Sequence, residues 1–403
     1  MGMHQLQSFE EAKSAMLMTK PVMLVTDESC SFWYSELQSS AVTSLRWHFF
    51  IGSFSSGFMK TSNVSTAETF LKHTMRSISF DHFWAPEDAA IVCFTSGTTG
   101  KPKGVIISHS ALMVQSMAKV AILGYSEDDV YLHTTPLCHI GGLSSALAML
   151  MVGACHVLIP KFKVAVAVDA IEKQCVTSLI TVPAIMADLV SLSRVNGKWE
   201  ERQSVKKILN GGGSLSDEPI KSAIKLFPRA KIFSAYGMTE TCSSLTFMTL
   251  HDPVLETPSY TLHIGTTKSS YVSQQPPGVC VGKPAPHVEL KISPEGSSRS
   301  GRILTRGPHV MLRYWDQRPA NASDHNSDIW FDTGDIGYID DSGNLWLLGR
   351  TNGRIKSGGE NVHPEELSGD IGGENPGTAS RSYCCYYCGS SKSAVHRDGC
   401  CLH

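Results

Sequence analysis

The chain has 403 residues, and at roughly 150 residues per domain that predicts two or three structural units with room for a substantial core. Hydrophobic residues make up 42% and charged residues 18%, which excludes wholesale disorder and a fibrous repeat. Lys plus Arg number 35 against 37 Asp plus Glu, a formal charge of -2, so no electrostatic footprint points to nucleic acid or an anionic membrane as a partner.

The start, MGMHQLQSFEEAKSAM, has no basic segment leading into an apolar run, and its acidic residues argue against a transit peptide. Leu6 stands where a myristoylation signal favours Ser or Thr. Residues 21–26 (PVMLVT) predict a strand, and the rest of the segment to about residue 85 has weak periodicity. From Ala89 onward, short β-branched runs alternate with amphipathic helical patterns. They are AAIVCF, a helix from Ser110 to Leu123, DVYLHT, a helix around Leu143, CHVLIP, a helix near Val164 to Gln174, SLITVP, KKILN and KIFSAY. This spacing predicts an α/β protein with a parallel sheet covered on both faces. The apolar stretch Leu143 to Pro160 is interrupted by Gly153 and His156 and falls short of the ~20 residues of a membrane span, so it reads as a buried helix and a strand. After about Pro277 the runs VELKIS, RILTRG, IGYID and NLWLLG, separated by Gly turns, predict a small antiparallel or distorted-barrel subdomain.

Cysteine marks a change of composition. Five of the 12 fall at 384, 385, 388, 400 and 401, while the other seven are scattered singly and read as reduced core thiols.

The strongest local signal is Phe94 to Val105, FTSGTTGKPKGV. It starts at a strand end, and the small residues Thr95, Ser96, Gly97, Thr98, Thr99 and Gly100 leave backbone amides and hydroxyls open to a phosphate. Lys101 and Lys103 add positive charge. It is not a Walker A loop, because two residues separate Gly97 from Gly100 and Lys101 precedes Pro102.

With SAYGMTET (234–241), FDTGDIG (331–337) and LGRTNGRIKSGGENVHPE (348–365) following in order, the chain resembles the adenylate-forming superfamily of acyl-CoA synthetases, luciferases and peptide-synthetase adenylation domains. Its wider wording is similar to the plant 2-succinylbenzoate-CoA ligases of phylloquinone synthesis, through runs such as HTTPLCHIGGLSSALAMLMVGACHVLIPKF, VKKILNGGGSLS and LTRGPHVMLRYW. The resemblance implies an ATP-dependent acid-thiol ligase, with another acyl-CoA synthetase (for 4-coumarate or a fatty acid) or an impaired form that only binds nucleotide as alternatives. It implies ATP, Mg²⁺ and coenzyme A, a small carboxylic acid as substrate, and no nucleic acid. The oligomeric state stays open.

The site residues follow from the same resemblance. Thr95 to Gly100 and Lys103 would meet the phosphates, and Glu240 would hold Mg²⁺, a hard cation that takes oxygen ligands. Thr239 would bond the α-phosphate, Tyr236 with Gly237 would flank the adenine, and Gly211, Gly212 and Gly213 would give it bare backbone. Asp335 would accept the ribose hydroxyls, with a plain Asx turn as its bland alternative. Arg350 would add a guanidinium contact, the alternative being an exposed salt bridge. His139 would orient the substrate carboxylate at the pocket entrance, the alternative being a core histidine.

The expected organisation is a large adenylating domain over 1–350, N-terminally incomplete, the start of a small C-terminal domain over 351–366, and a divergent Gly/Ser/Cys-rich tail over 367–403. Asn352 stands at the hinge position, where the family usually has Asp or Lys. After Glu366 the single lysine, Lys392, lies between serines and does not match the Gly-Lys context of the family's adenylation lysine. The tail reads as a splice form, a frame change or a gene-model artefact, with zinc on Cys385, Cys388, His396 and Cys400 as the alternative. The resemblance implies chloroplast or peroxisome; the chain taken as complete would be cytoplasmic.

Overall fold

A parallel sheet with both faces covered needs strands that are apolar on both sides, and the runs between Val130 and Tyr236 supply them. The structure, a computed structural model, describes residues 9–27, 30, 33–38, 42–51, 64–66, 88–95, 103–195, 201–214, 217–255, 278–294, 299–316, 329–350, 355–357 and 360–362. In chain order the elements are α1 (Phe9–Thr19), β1 (Met23–Asp27), α2 (Trp33–Gln38), β2 (Trp47–Ile51), β3 (Val64–Thr66), β4 (Ala89–Thr95), β5 (Lys103–Ser108), α3 (His109–Leu123), β6 (Val130–His133) and α4 (Ile140–Val152). They continue with β7 (Cys155–Leu158), α5 (Val164–Gln174), β8 (Ser178–Thr181), α6 (Pro183–Val195), β9 (Lys207–Asn210), α7 (Asp217–Leu226), β10 (Lys231–Tyr236), β11 (Thr246–His251) and β12 (Val279–Pro284). The last are β13 (Glu289–Pro294), β14 (Gly301–Arg306), β15 (Arg313–Tyr314), β16 (Phe331–Ile339), β17 (Leu345–Arg350), β18 (Ile355–Ser357) and β19 (Glu360–Val362).

An 11-stranded sheet in the order β13-β14-β16-β17-β12-β11-β10-β9-β8-β6-β7 dominates the fold. Its half from β7 to β10 is parallel, and from β11 onward every neighbour is antiparallel. The β-rich region after Pro277 is therefore an extension of the central sheet, joined where β11 meets β12, rather than a barrel of its own. Side chains alternate across the parallel strands. Tyr131, Ile180, Leu209 and Phe233 pack with Ala118 and Leu123 of α3 and Ala148 and Met149 of α4. Their neighbours Leu132, Leu179, Ile208 and Ile232 pack with α5, α6 and α7 through Ala167, Ile171, Met186, Leu189, Ile220 and Leu226. Each Leu, Ile, Phe or Met among them contributes roughly 1.5–3 kcal/mol on burial.

The stretch read as membrane-like is the α4 helix followed by the β7 strand, and no described helix is long and apolar enough to cross a membrane. AAIVCF departs from expectation. It is β4, which pairs antiparallel with β5, and β5 also pairs with β15 in a separate 3-stranded sheet. Only residues 96–102 separate β4 from β5, too few for the crossover that a parallel pair needs. The cysteines also differ in part: Cys93 and Cys242 are buried, but Cys155 and Cys175 are exposed. Cys155 opens β7 at the edge of the sheet and Cys175 is the left-handed cap of α5, so neither lies under another layer.

The two ends of the parallel strands differ in chemistry. At the N-terminal end Asp129 accepts Thr177 and Ser178 hydroxyls, the Ser126 amide and the Lys207 ammonium at 2.7 Å. Burial alone would raise this carboxyl, yet these donors hold it below its ordinary value. That end is sealed. At the C-terminal end, Asn210 and Tyr236 lead straight into Gly-rich turns, as expected for a ligand crevice in an α/β sheet.

Candidate functional site

Tyr236 closes β10 and is buried. Its hydroxyl donates to Asp335 Oδ2 at 2.6 Å, and the other carboxylate oxygen, Oδ1, receives Arg350 Nε at 2.6 Å. Asp335 and Arg350 face each other across the β16–β17 pair, so the sheet register itself brings acid and base together. Burial, and then the Asp335 charge, push the Tyr236 phenol well above its ordinary range, so it remains a donor. Asp335 is 3% exposed, and Arg350 is partly buried in a pair that is no surface salt bridge. The Asx turn here belongs to Asp332, which accepts the Gly334 amide, while the Asp335 amide donates to Thr333 Oγ1. The Asx turn is thus made by Asp332 and not by Asp335, and the Arg350 ion pair is partly buried and not exposed.

After Tyr236 the chain turns sharply. Gly237 is needed because a Cβ there would lie 1.6 Å from the Ser243 carbonyl oxygen. Thr239 to Thr241 form a single 3-10 turn, with Cys242 N–H donating to Thr239 O and Ser243 N–H to Met238 O. Glu240 sits on this turn, half-buried. Its Oε1 accepts the Tyr314 hydroxyl at 3.0 Å and its backbone oxygen accepts the Met311 amide at 2.8 Å. Its second carboxylate oxygen has no protein partner among the described residues, which suits a hard cation.

Lys103 opens β5, where it pairs with Thr95 of β4, so these two residues bracket the 96–102 loop. Its ammonium lies 5.4 Å from the centre of the Tyr314 ring, and Tyr314 pairs with Val105. Lys103, Tyr314 and Glu240 therefore form one cation–phenol–carboxylate run at the end of the β4–β5 hairpin. Ser96, Gly97, Thr98, Thr99 and Gly100 lie outside the described residues, as does the Cys-rich tail from 367.

Gly211 to Gly213 follow β9. A Cβ on Gly213 would press on Pro183 at 3.2 Å, Gly212 has φ +71°, and Gly211 faces open space. Beside them Asn210 is fully buried, donating to Gly213 O at 2.8 Å, while its Oδ1 is buried without a partner. An orphaned acceptor beside a bare backbone cradle fits a ligand that brings its own donors. His139 is exposed and is the N-cap of α4, so it is no core histidine.

Tyr314, Asn210 and the buried pair Gln115–Lys119 were not read from the sequence as site residues. Tyr314 sits in an ordinary aromatic run, and its value comes only from β15 pairing with β5. Gln115 and Lys119 look like a solvent face of α3, and only the packing of α4 over them shows otherwise.

Residues 19–315 match the AMP-binding enzyme family. The chain is 53% identical over 380 residues to the Arabidopsis thaliana protein named 2-succinylbenzoate–CoA ligase, chloroplastic/peroxisomal, covering 93% of this chain and 66% of that protein. It is 32% identical to the indoleacetate–CoA ligase of Aromatoleum aromaticum, covering 77% of this chain and 57% of that one. The chain thus spans under two thirds of the length of these relatives. Among solved structures, the Bacillus subtilis O-succinylbenzoate coenzyme A synthetase in complex with ATP and magnesium ion superposes with a TM-score of 0.64 at 27% identity, over 90% of this chain and 66% of that one. With its phosphate-loop hairpin, Glu240 turn and buried Asp335 cluster in that setting, the chain belongs to the AMP-binding enzyme family.

Proposed function

We propose that this protein is an AMP-forming acid-thiol ligase that converts 2-succinylbenzoate into its coenzyme A thioester in phylloquinone synthesis. The observation that carries the reading is the joining of Tyr236, Asp335 and Arg350 to the Glu240 turn through only Gly237 to Thr239. The choice of acid rests on the 53% identity to the Arabidopsis ligase, against 32% to the indoleacetate ligase.

Two steps follow. The substrate carboxylate attacks the α-phosphorus of ATP; a P–O bond forms to the acyl oxygen, the bond to the bridging oxygen breaks, and pyrophosphate leaves. The thiolate of coenzyme A then adds to the acyl carbon, giving the thioester and releasing AMP. Asp335 has lone pairs beyond those used by Tyr236 and Arg350, and these accept the ribose hydroxyls. Arg350 adds its guanidinium to the ribose or phosphate, and Tyr236 with Gly237 and Gly211 to Gly213 borders the adenine. Thr239 bonds the α-phosphate, Thr95 to Gly100 and Lys103 receive the other phosphates, and His139 orients the acid. Glu240 holds Mg²⁺, which when bound neutralises phosphate charge. Most of the catalysis in such a transfer is positioning and preorganised charge.

The division at residue 350 is part of this reading: β17 ends there, the last strand of the large sheet in chain order, and among the described residues β18 and β19 pair with each other alone. Coenzyme A would then be met by the small domain beginning at 351. A chloroplast or peroxisome location is proposed from the Arabidopsis relative's name.

The test is pyrophosphate release on mixing the full chain with ATP, Mg²⁺ and 2-succinylbenzoate, followed by thioester formation when coenzyme A is added. Turnover of 4-coumarate or a fatty acid, with none of 2-succinylbenzoate, overturns the substrate assignment.

A further inference from the structure

Helix α3 carries Gln115 and Lys119 one turn apart, and both are fully buried. Lys119 Nζ lies within hydrogen-bond distance of Ser144 Oγ at 2.6 Å, Ser145 Oγ at 2.9 Å, Gly141 O at 3.2 Å and Ser243 Oγ at 3.3 Å. No carboxylate is among its partners in the described residues. Burial pushes the nearby Cys242 thiol up to about 12, so it supplies no negative charge either. With its amide oriented to satisfy both bonds, Gln115 donates to Ser244 O at 3.0 Å and accepts from Ser244 N–H at 3.2 Å. Burying an amine with no acid is costly, and a position needed only for packing would be served better by Met or Leu.

What the two side chains grip is strained. Cys242 and Ser243 have φ of 52° and 104°, a positive-φ backbone that favours glycine and that a side chain adopts only when its surroundings hold it there. These residues are the return limb of the turn on which Glu240 sits. On its other side Lys119 holds Gly141, Ser144 and Ser145 in the first turns of α4, the helix capped by His139.

We infer that Lys119 and Gln115 are positioning residues: they pin the strained Cys242–Ser244 limb against α4, and so fix the Glu240 carboxylate where a divalent cation bound with ATP meets it. The inference rests on the proposed nucleotide reading of the site. It assigns the coupling between the acyl end, at His139, and the metal end, at Glu240, to the buried Lys119 side chain on α3, which touches neither ligand.

The experiment is calorimetric titration of ATP into the full chain, with and without Mg²⁺, for the wild type, Lys119→Met and Ser243→Ala. In the wild type Mg²⁺ tightens ATP binding. In Lys119→Met metal-free ATP affinity is kept, and the tightening by Mg²⁺ falls about 10-fold, the scale of losses when a group supporting a metal ligand is removed. Ser243→Ala, which leaves the ammonium in place, gives a smaller loss of the same kind. Ser144 and Ser145 keep their bonds to Ile140 O and Gly141 O, so the melting temperature of Lys119→Met stays equal or rises, which separates positioning from a collapse of the fold. Full Mg²⁺-dependent tightening in both variants overturns the inference and leaves the site reading standing. If Lys119→Met does not fold, unchanged tightening in Ser243→Ala overturns it alone. A wild type whose ATP binding ignores Mg²⁺ overturns the site reading and the inference together.

Discussion

Asp335 is held from two sides at 2.6 Å, and that arrangement has a measurable cost when cut. Asp335→Ala leaves Arg350 without its acid and Tyr236 without its acceptor; breaking such a pair costs about 3–5 kcal/mol. Urea denaturation should show a loss of that order together with weaker AMP binding, and a loss below ~1 kcal/mol would mean that the cluster is not a structural unit. Lys119 makes a second prediction, about pH. Burial lowers its ammonium from an ordinary value of 10.5 to about 7. Between these values the unfolded chain binds a proton that the folded chain sheds, so folding stability rises with pH across that window. The wild type should therefore gain stability relative to Lys119→Met from about pH 7 upward, on the order of a few kcal/mol by pH 10. Denaturation series at three pH values would show it, and a constant difference would contradict it.

At the scale of elements, the site is two turns attached to well-made strands. Gly237→Ala forces the Ser243 carbonyl aside from a 1.6 Å overlap, and should both destabilise the fold by several kcal/mol and abolish nucleotide binding. A thermal melt within a degree of wild type would contradict the described turn. The start of α3 is a useful contrast. Ser108 accepts the Ala111 amide at 3.0 Å as an N-cap, so Ser108→Ala should cost ~1 kcal/mol and leave ATP affinity unchanged. Lower ATP affinity in that variant would mean that the hairpin and helix are more tightly linked than the contacts indicate.

For the whole molecule, the parallel half of the sheet was legible because burial on both faces writes itself as apolar runs: DVYLHT, SLITVP, KKILN and KIFSAY all became strands close to their predicted bounds. The antiparallel strands after Pro277 were legible one by one, yet their membership in the same sheet was not, since pairing β11 with β12 is a long-range choice that no local pattern encodes. AAIVCF reads the same whether its neighbour is parallel or antiparallel, which explains its misplacement. In the site, the residues that a motif carries, Tyr236, Glu240, Asp335 and Arg350, were readable, and the structure brings Tyr236, Asp335 and Arg350 into contact. Tyr314, Asn210 and Lys119 act through burial and cross-strand contact, and polarity in a helix pattern looks the same whether it meets water or another helix.

The measurement closest to the central claim is pyrophosphate release from ATP with 2-succinylbenzoate as a function of Mg²⁺, for the wild type and Glu240→Gln. On the proposed reading, loss of the charge that meets the metal should lower the rate by about 100-fold or more and leave metal-free nucleotide binding unchanged. An unchanged rate in Glu240→Gln would contradict the account.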